Sequence, residues 1–200
     1  MTQPDPDVAR QKRALRKELR ARRRALSSTE QRLAAEGLIR QIRHHPDYPR
    51  ARRIALYCAN DGEINLEPLV RQLKADQKAL FLPVLNPLDP VRPHLWFCHW
   101  QPGERMRANR FGIPEPTRPE RIPTWTLDWV LMPLVGFDAS GGRLGMGGGF
   151  YDRTFAHEQH WPQQPQRLGV AHECQRVGVI PQEEWDLPLA AVMTDQRVYK

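Results

Sequence analysis

Trp129-Val130-Leu131-Met132-Pro133-Leu134-Val135 is an uninterrupted apolar run, and a glycine-dense segment follows it almost at once. That segment is Asp138-Ala139-Ser140-Gly141-Gly142-Arg143-Leu144-Gly145-Met146-Gly147-Gly148-Gly149-Phe150-Tyr151-Asp152-Arg153. The run reads as a buried strand, and the residues from Phe150 onward as the start of a short helix. Strand, glycine loop and helix start in succession make one corner of an α/β sheet and a good anion site. Glycine takes positive φ freely, so successive N–H groups can converge on one ligand. A helix N-terminus adds partial positive charge. Arg143 offers a fork of donors for phosphate oxygens, and Asp152 a carboxylate for a metal bridging them. The segment lacks the Gly-Lys-Ser/Thr ending of a P-loop. Nor is it GxGxxG, because Phe150 stands where the last glycine would be. The plain alternative is a flexible turn. Six glycines between 141 and 149 weigh against it, since glycine loses the most entropy on ordering.

The formal charge of the 200-residue chain is +7, and its location matters more than its size. Between Arg10 and Arg24 lie nine Lys/Arg and one acid, a net of +8, which leaves the remainder near −1. Val8, Leu15, Leu19 and Leu26 place one apolar stripe on this basic helix. Three readings of the helix stand open: a nucleic-acid face, a site for a small polyanion, or a solvated surface. A second basic patch and a recognition motif, both expected of a nucleic-acid binder, are missing. No apolar run approaches membrane-spanning length and no signal-peptide core precedes the basic helix, so a cytoplasmic protein is expected. Cys58, Cys98 and Cys174 are odd in number and far apart, and read as reduced, partly buried thiols.

Along the chain, Ser28-Thr29-Glu30-Gln31 reads as a capping box for a helix with Leu33, Leu38 and Ile42 inward, ending near His44-His45-Pro46. Arg53 to Cys58 predicts a strand, Ala59 to Glu63 its C-terminal loop, and Asn65 a cap for a helix carrying Leu66, Leu69, Val70 and Leu73. Ala79 to Leu85 predicts the next strand, which makes a βαβ unit and a mainly parallel sheet. Leu95 to Trp100 reads as a strand, antiparallel at an edge. Residues 101–126, rich in Pro and Arg, read as a long irregular connection. Further strands are expected at Arg167 to Ala171 and Leu189 to Thr194. Ligands of open α/β sheets sit beyond the C-terminal strand ends, so Glu63, the glycine loop and His172 should share one rim. The length suits a single domain spanning residues 1–200.

These residues resemble the 5-formyltetrahydrofolate cyclo-ligase (5,10-methenyltetrahydrofolate synthetase) family through nearly the whole chain. The resemblance runs through Lys12-Arg13-Ala14-Leu15-Arg16, Glu63, Arg110-Phe111-Gly112-Ile113-Pro114-Glu115-Pro116, Asp128 to Pro133, Arg143 to Arg153, and Trp185-Asp186-Leu187-Pro188. It implies a three-layer α/β/α sandwich like the sugar-phosphate isomerase and CoA-transferase group. It also implies ATP-dependent cyclisation of 5-formyltetrahydrofolate to 5,10-methenyltetrahydrofolate, with Mg²⁺, in a monomer that needs no nucleic acid and no membrane. By the same resemblance Lys12 and Arg143 are the catalytic cations. Lys12, Arg13, Ala14, Leu15, Arg16, Arg143, Leu144, Gly145, Met146, Gly147, Gly148, Gly149, Phe150 and Tyr151 would surround ATP. Cys58, Glu63, Phe111, Met146, Gly147, Gly148, Gly149 and Phe150 would meet the folate, and Asp152 and Asp186 the metal. Most other charges of the basic helix, Arg23 among them, are expected to be solvated. Some members carry a basic residue where Met146 or Gly148 stands, and Arg110 or Arg153 is the candidate replacement. A phosphosugar or CoA-ester enzyme on a similar fold is the rival reading.

Overall fold

Two helices precede the first strand. α1 (Pro6–Arg24) is the basic helix and α2 (Ser28–His44) follows it. The coordinates are a computed structural model describing residues 6–88, 91, 94–117, 119–156, 158–183 and 186–200. The cap of α2 sits one residue ahead of the sequence expectation. Ser27 Oγ accepts from the Glu30 amide, and the Glu30 carboxylate accepts from the Ser27 amide at 2.8 Å. Glu30, an acceptor with full charge, outcompetes the neutral Gln31 for that amide. The helix buries Ala34, Ala35, Leu38 and Ile42 and leaves Leu33 half exposed, contrary to expectation. Leu33 precedes the buried face by about 100° of helical rotation.

β1 (Arg53–Ala55), α3 (Glu67–Ala75) and β2 (Ala79–Leu85) form the anticipated βαβ unit. Asn65 does not occupy the cap position, which falls to Leu66, but its side chain accepts from the Glu67 amide at 2.9 Å. β3 (Leu95–His99) runs antiparallel to β2. It is not the edge. The stretch read as irregular contains β4 (Met106–Ala108), β5 (Pro114–Pro116) and β6 (Glu120–Ile122), and β6 covers β3. Their Pro and Arg content hides the alternation by which strands are recognised. β7 (Trp129–Pro133) leads into a hairpin of β8 (Gly136–Phe137) and β9 (Arg143–Leu144), then α4 (Phe150–Phe155). β10 (Gln166–Val170), β11 (Ala191–Met193) and β12 (Val198–Tyr199) complete the chain.

The eight-stranded sheet runs β12-β11-β10-β7-β1-β2-β3-β6. From β11 to β2 every neighbour is parallel, and the remaining strands are antiparallel. The α/β class and mainly parallel sheet follow the sequence reading. β7 explains its own apolar run. Trp129 and Leu131 pack on one face with α2 and α3, while Val130 and Met132 pack on the other with Phe81, Phe97 and Phe155. The first face carries two full helices. The second carries the short α4, so the two outer layers are unequal.

The apolar contact that places α1 is Leu19. It is fully buried against Val135, Leu144 and Ile180, beyond the C-terminal end of β7. This docks the basic helix on the glycine-loop hairpin. Leu19→Ala should cost about 2–5 kcal/mol. Urea unfolding should show this as a lower midpoint, with weaker docking of α1 read from faster amide exchange in that helix.

Candidate active site

The glycine-dense segment is two structures. Its first half is the β8–β9 turn, fixed by the buried Asp138. Asp138 Oδ1 accepts from the Ser140 amide, the Ser140 hydroxyl and the Gly142 amide, each at 2.9 Å, and Oδ2 accepts from the Ile180 amide at 2.7 Å. Burial pushes this carboxyl up, but the four bonds outweigh it and hold it below its ordinary value. Its second half, Gly145 to Gly149, is the open loop. Gly147 has φ +90°, and a Cβ there would meet the Arg16 guanidinium at 3.2 Å. Gly149 caps α4 at φ +63°. α4 has only six residues, so the side-chain cations, rather than its dipole, supply most of the positive charge.

Two cations bond this loop, and two more pair with carboxylates beside it. Arg16 Nε donates to Gly145 O at 2.8 Å, and burial pulls its pKa down against the opposing influence of Asp186 and Glu183. Arg153 Nη2 donates to Gly148 O at 2.6 Å. Arg143 donates from Nε to Leu187 O at 2.8 Å and from Nη2 to the Asp152 carboxylate. Lys12 is almost wholly buried, its Nζ 2.8 Å from Glu183 Oε2 and 2.7 Å from Asp186 Oδ2. Lys12 and Arg16 are one helical turn apart and reach the same side. Arg13 and Ala14, between them, are exposed, and Leu15 packs in the apolar contact around Leu19. Of the two expected phosphate cations, Lys12 therefore faces Asp186 and Arg143 faces Asp152.

The rim opposite is built by the loop after β1. Glu63 Oε2 accepts from the Asn60 amide at 3.0 Å, and Oε1 lies 3.7 Å from Arg23 Nη2. Burial, the largest influence, pushes the Glu63 carboxyl up to about 7, against the pull of the Asn60 amide and Arg23. Asp61 takes Arg20 and Arg23 at 2.7 Å and also Arg24. Burial acts to raise the Asp61 carboxyl, but these arginines hold it well below its ordinary value. His172 Nε2 is 3.1 Å from Gly62 O, so the loop after β10 does reach this rim. Burial lowers the His172 pKa, leaving a neutral ring.

Aromatic rings flank the rim. Phe111, half exposed, meets Phe150 edge to face at 5.6 Å. Arg110 lies 5.0 Å over Phe111, so of the two replacement cations only Arg153 bonds the glycine loop. Cys58 Sγ contacts Pro114 O at 3.6 Å, which brings the β5 strand over the end of β1. Tyr151 packs into the second core face, its hydroxyl pKa raised by burial and then by Glu63. Sequence reasoning missed two members of the site. Glu183, given no role in the sequence reading, pairs with Lys12. Arg23 was placed in solvent, yet it is fully buried. Trp185 lies outside the described residues.

The profile of the 5-formyltetrahydrofolate cyclo-ligase family matches residues 8–195. The 5-formyltetrahydrofolate cyclo-ligase of Escherichia coli (strain K12) is 40% identical over 184 residues, covering 91% of this chain and 99% of the relative. The mouse cyclo-ligase is 30% identical over 198 residues, covering 91% and 92%. The solution structure of Aquifex aeolicus 5,10-methenyltetrahydrofolate synthetase superposes with a TM-score of 0.79 at 30% identity, covering 94% of this chain and 92% of the other. The chain belongs to the 5-formyltetrahydrofolate cyclo-ligase family. The family resemblance drawn from sequence thus holds, and its scattered motifs meet in one place. Lys12 and Arg16 lie on α1, Glu63 follows β1, Phe111 precedes β5, and Arg143 to Asp152 follow β7.

Glu63 also gives this member a pH signature. Its carboxyl titrates at about 7 in the folded protein against an ordinary 4.5, so the folded state holds a proton that the unfolded chain releases between those values. Stability should fall as pH rises from about 4.5 to about 7, by on the order of 3 kcal/mol in total from this group. Urea midpoints measured across that range should carry this slope in the wild type and lose it in Glu63→Gln.

Proposed function

We propose that this chain performs the reaction named for its family, the ATP-dependent closure of 5-formyltetrahydrofolate to 5,10-methenyltetrahydrofolate. The observation that carries the reading is the meeting of Lys12, Arg16 and Arg143 at an open glycine loop, on the same sheet edge as the Glu63 rim. A phosphate-binding end and a heterocycle-binding end are what the reaction needs side by side.

The chemistry follows from the substrate. The formyl oxygen attacks the γ-phosphorus, the bond to the β–γ bridging oxygen breaks, and ADP departs with its electrons. The former formyl carbon is now an activated, electron-poor centre. N10 of the same folate attacks it, gives up its proton, and phosphate leaves with the original formyl oxygen. Both nucleophiles belong to the folate, so the protein needs no Ser, Cys or His nucleophile. Its work is positioning and charge stabilisation. Lys12 and Arg143 would take the transferring oxygens, with Arg16 and the backbone of Gly145 to Gly149 around the triphosphate. Each of the two is already paired with a carboxylate, so phosphate oxygens compete with Asp186 and Asp152 for them. Glu63 would accept paired donors from the pterin, and Phe111 and Phe150 would flank its ring.

Asp152, paired with Arg143, and Asp186, paired with Lys12, are hard oxygen donors and suit Mg²⁺, which keeps its waters and binds through one or two carboxylates plus phosphate. Among the described residues no cluster of three or more ligating side chains is present. When bound, the ion would neutralise phosphate charge. The enzyme would act as a cytoplasmic monomer on these small molecules, with no nucleic acid or membrane as partner.

The deciding assay is the methenyl-folate chromophore on adding 5-formyltetrahydrofolate and MgATP; silence under these conditions with folded protein rejects the reading. Asp152→Asn should remove most of this activity, and near-normal turnover at saturating Mg²⁺ would take Asp152 out of the site. Glu63→Gln should raise the folate KM roughly ten- to a hundredfold, the loss of one charge-assisted hydrogen bond, with the ATP KM little changed. An unchanged folate KM would place the pterin elsewhere.

A further inference from the structure

We propose that Arg23 is a positioning residue for folate recognition: its guanidinium locks the Glu63 turn to the glycine loop and supplies the counter-charge that keeps Glu63 an acceptor. The proposal rests on the reading of Glu63 as the folate contact and extends it to a residue one layer behind.

The geometry is specific. Arg23 has no exposed surface. A guanidinium in that position is costly unless its N–H groups find oxygens. Nε donates to Asp61 O at 2.7 Å, Nη1 to Leu134 O at 3.0 Å, and Nη2 to Asp61 Oδ2 at 2.7 Å. The same Nη2 lies 3.7 Å from Glu63 Oε1 and 4.0 Å from Met146 Sδ. One planar group on α1 thus touches the turn after β1, the end of β7 and the glycine loop. Arg20 and Arg24 also bond Asp61, so Asp61 does not need Arg23 for neutralisation. Glu63 does. Among the described residues Arg23 is the one cation within ion-pair distance of it.

The groups around Glu63 otherwise disfavour its charge. Tyr57, at the end of β1, is buried and donates to Ile64 O at 3.0 Å rather than to Glu63. Tyr151 approaches from α4, Asp61 adds like charge from the same turn, and neutral His172 bonds Gly62 O. Among the described residues only the Asn60 amide helps Arg23. Burial has already brought the carboxyl to about 7. Without Arg23 it would be protonated at neutral pH, and a neutral acid offers a donor where the pterin also offers donors. A lysine at 23 keeps the charge but cannot span Asp61, Leu134 and Glu63 together.

The test is the titration of the Glu63 carboxyl carbon by NMR in the ligand-free protein, in wild type, Arg23→Gln and Arg23→Lys. The midpoint should rise by about one pH unit or more in Arg23→Gln, a tenfold gain in proton affinity, and by less in Arg23→Lys. An unmoved midpoint in folded Arg23→Gln overturns the proposal and leaves Arg23 a structural clamp. Should Arg23→Gln prove too unstable to titrate, Arg23→Lys decides: a raised midpoint supports the proposal and an unmoved one overturns it. Steady-state kinetics at pH 7.5 gives the second readout. Arg23→Gln should raise the folate KM roughly threefold or more and the ATP KM little, and should add almost nothing in a Glu63→Gln background. Equal losses in both backgrounds overturn it. Failure of the folate reading is separate: Glu63→Gln alone would then leave the folate KM untouched, whatever the titration shows.

Discussion

A helix with a net charge of +8 between Arg10 and Arg24 lies against the C-terminal edge of the sheet, and every other feature of the site follows from how that charge is received. Buried cations demand oxygens. Lys12 finds Glu183 and Asp186, Arg16 finds Gly145 O, and Arg23 finds Asp61 and Leu134 O. These partners come from the segments that follow β1, β7, β9 and β10. One helix therefore organises segments separated by up to 174 positions in the chain. The apolar contribution, through Leu19, sets where α1 sits; the charges set what sits around it.

Much of this was legible because parallel sheets leave a strong signature. β7 is apolar on both faces, so it stands out as a run, and β2 does the same over Ala79–Leu85. The topology then requires that loops after parallel strands share an edge, which put Glu63, the glycine loop and His172 together before any coordinates. The short strands were not legible. β5 contains two prolines in three residues and β6 alternates poorly, and both exist through pairing with neighbours rather than through their own sequence.

Within the candidate site, sequence matching named single residues but not their partners. The matching motifs pointed to Lys12, Arg143, Asp152 and Asp186 one by one. They did not say that Lys12 bonds Asp186, 174 positions away, or that Arg143 bonds Asp152 across the turn into α4, because neither pairing follows a helical or strand spacing. Arg23 shows the limit most clearly. It sits between Arg22 and Arg24, both exposed, and nothing in a run of three arginines marks the middle one as buried. The distinction comes from helical phase: position 23 lies four residues beyond Leu19, on the face that docks.

The three cysteines carry a consequence for the protein's chemical durability. Burial raises the thiol pKa of Cys58, Cys98 and Cys174, with Cys98 pushed up to about 11. Thiolate is the form that reacts with peroxides and electrophiles, and here it is scarce at neutral pH. Cys58 stands beside the β5 strand at the rim, where a reactive thiol would expose the centre to poisoning. The same burial should slow the oxidants and alkylating agents that act on thiolate.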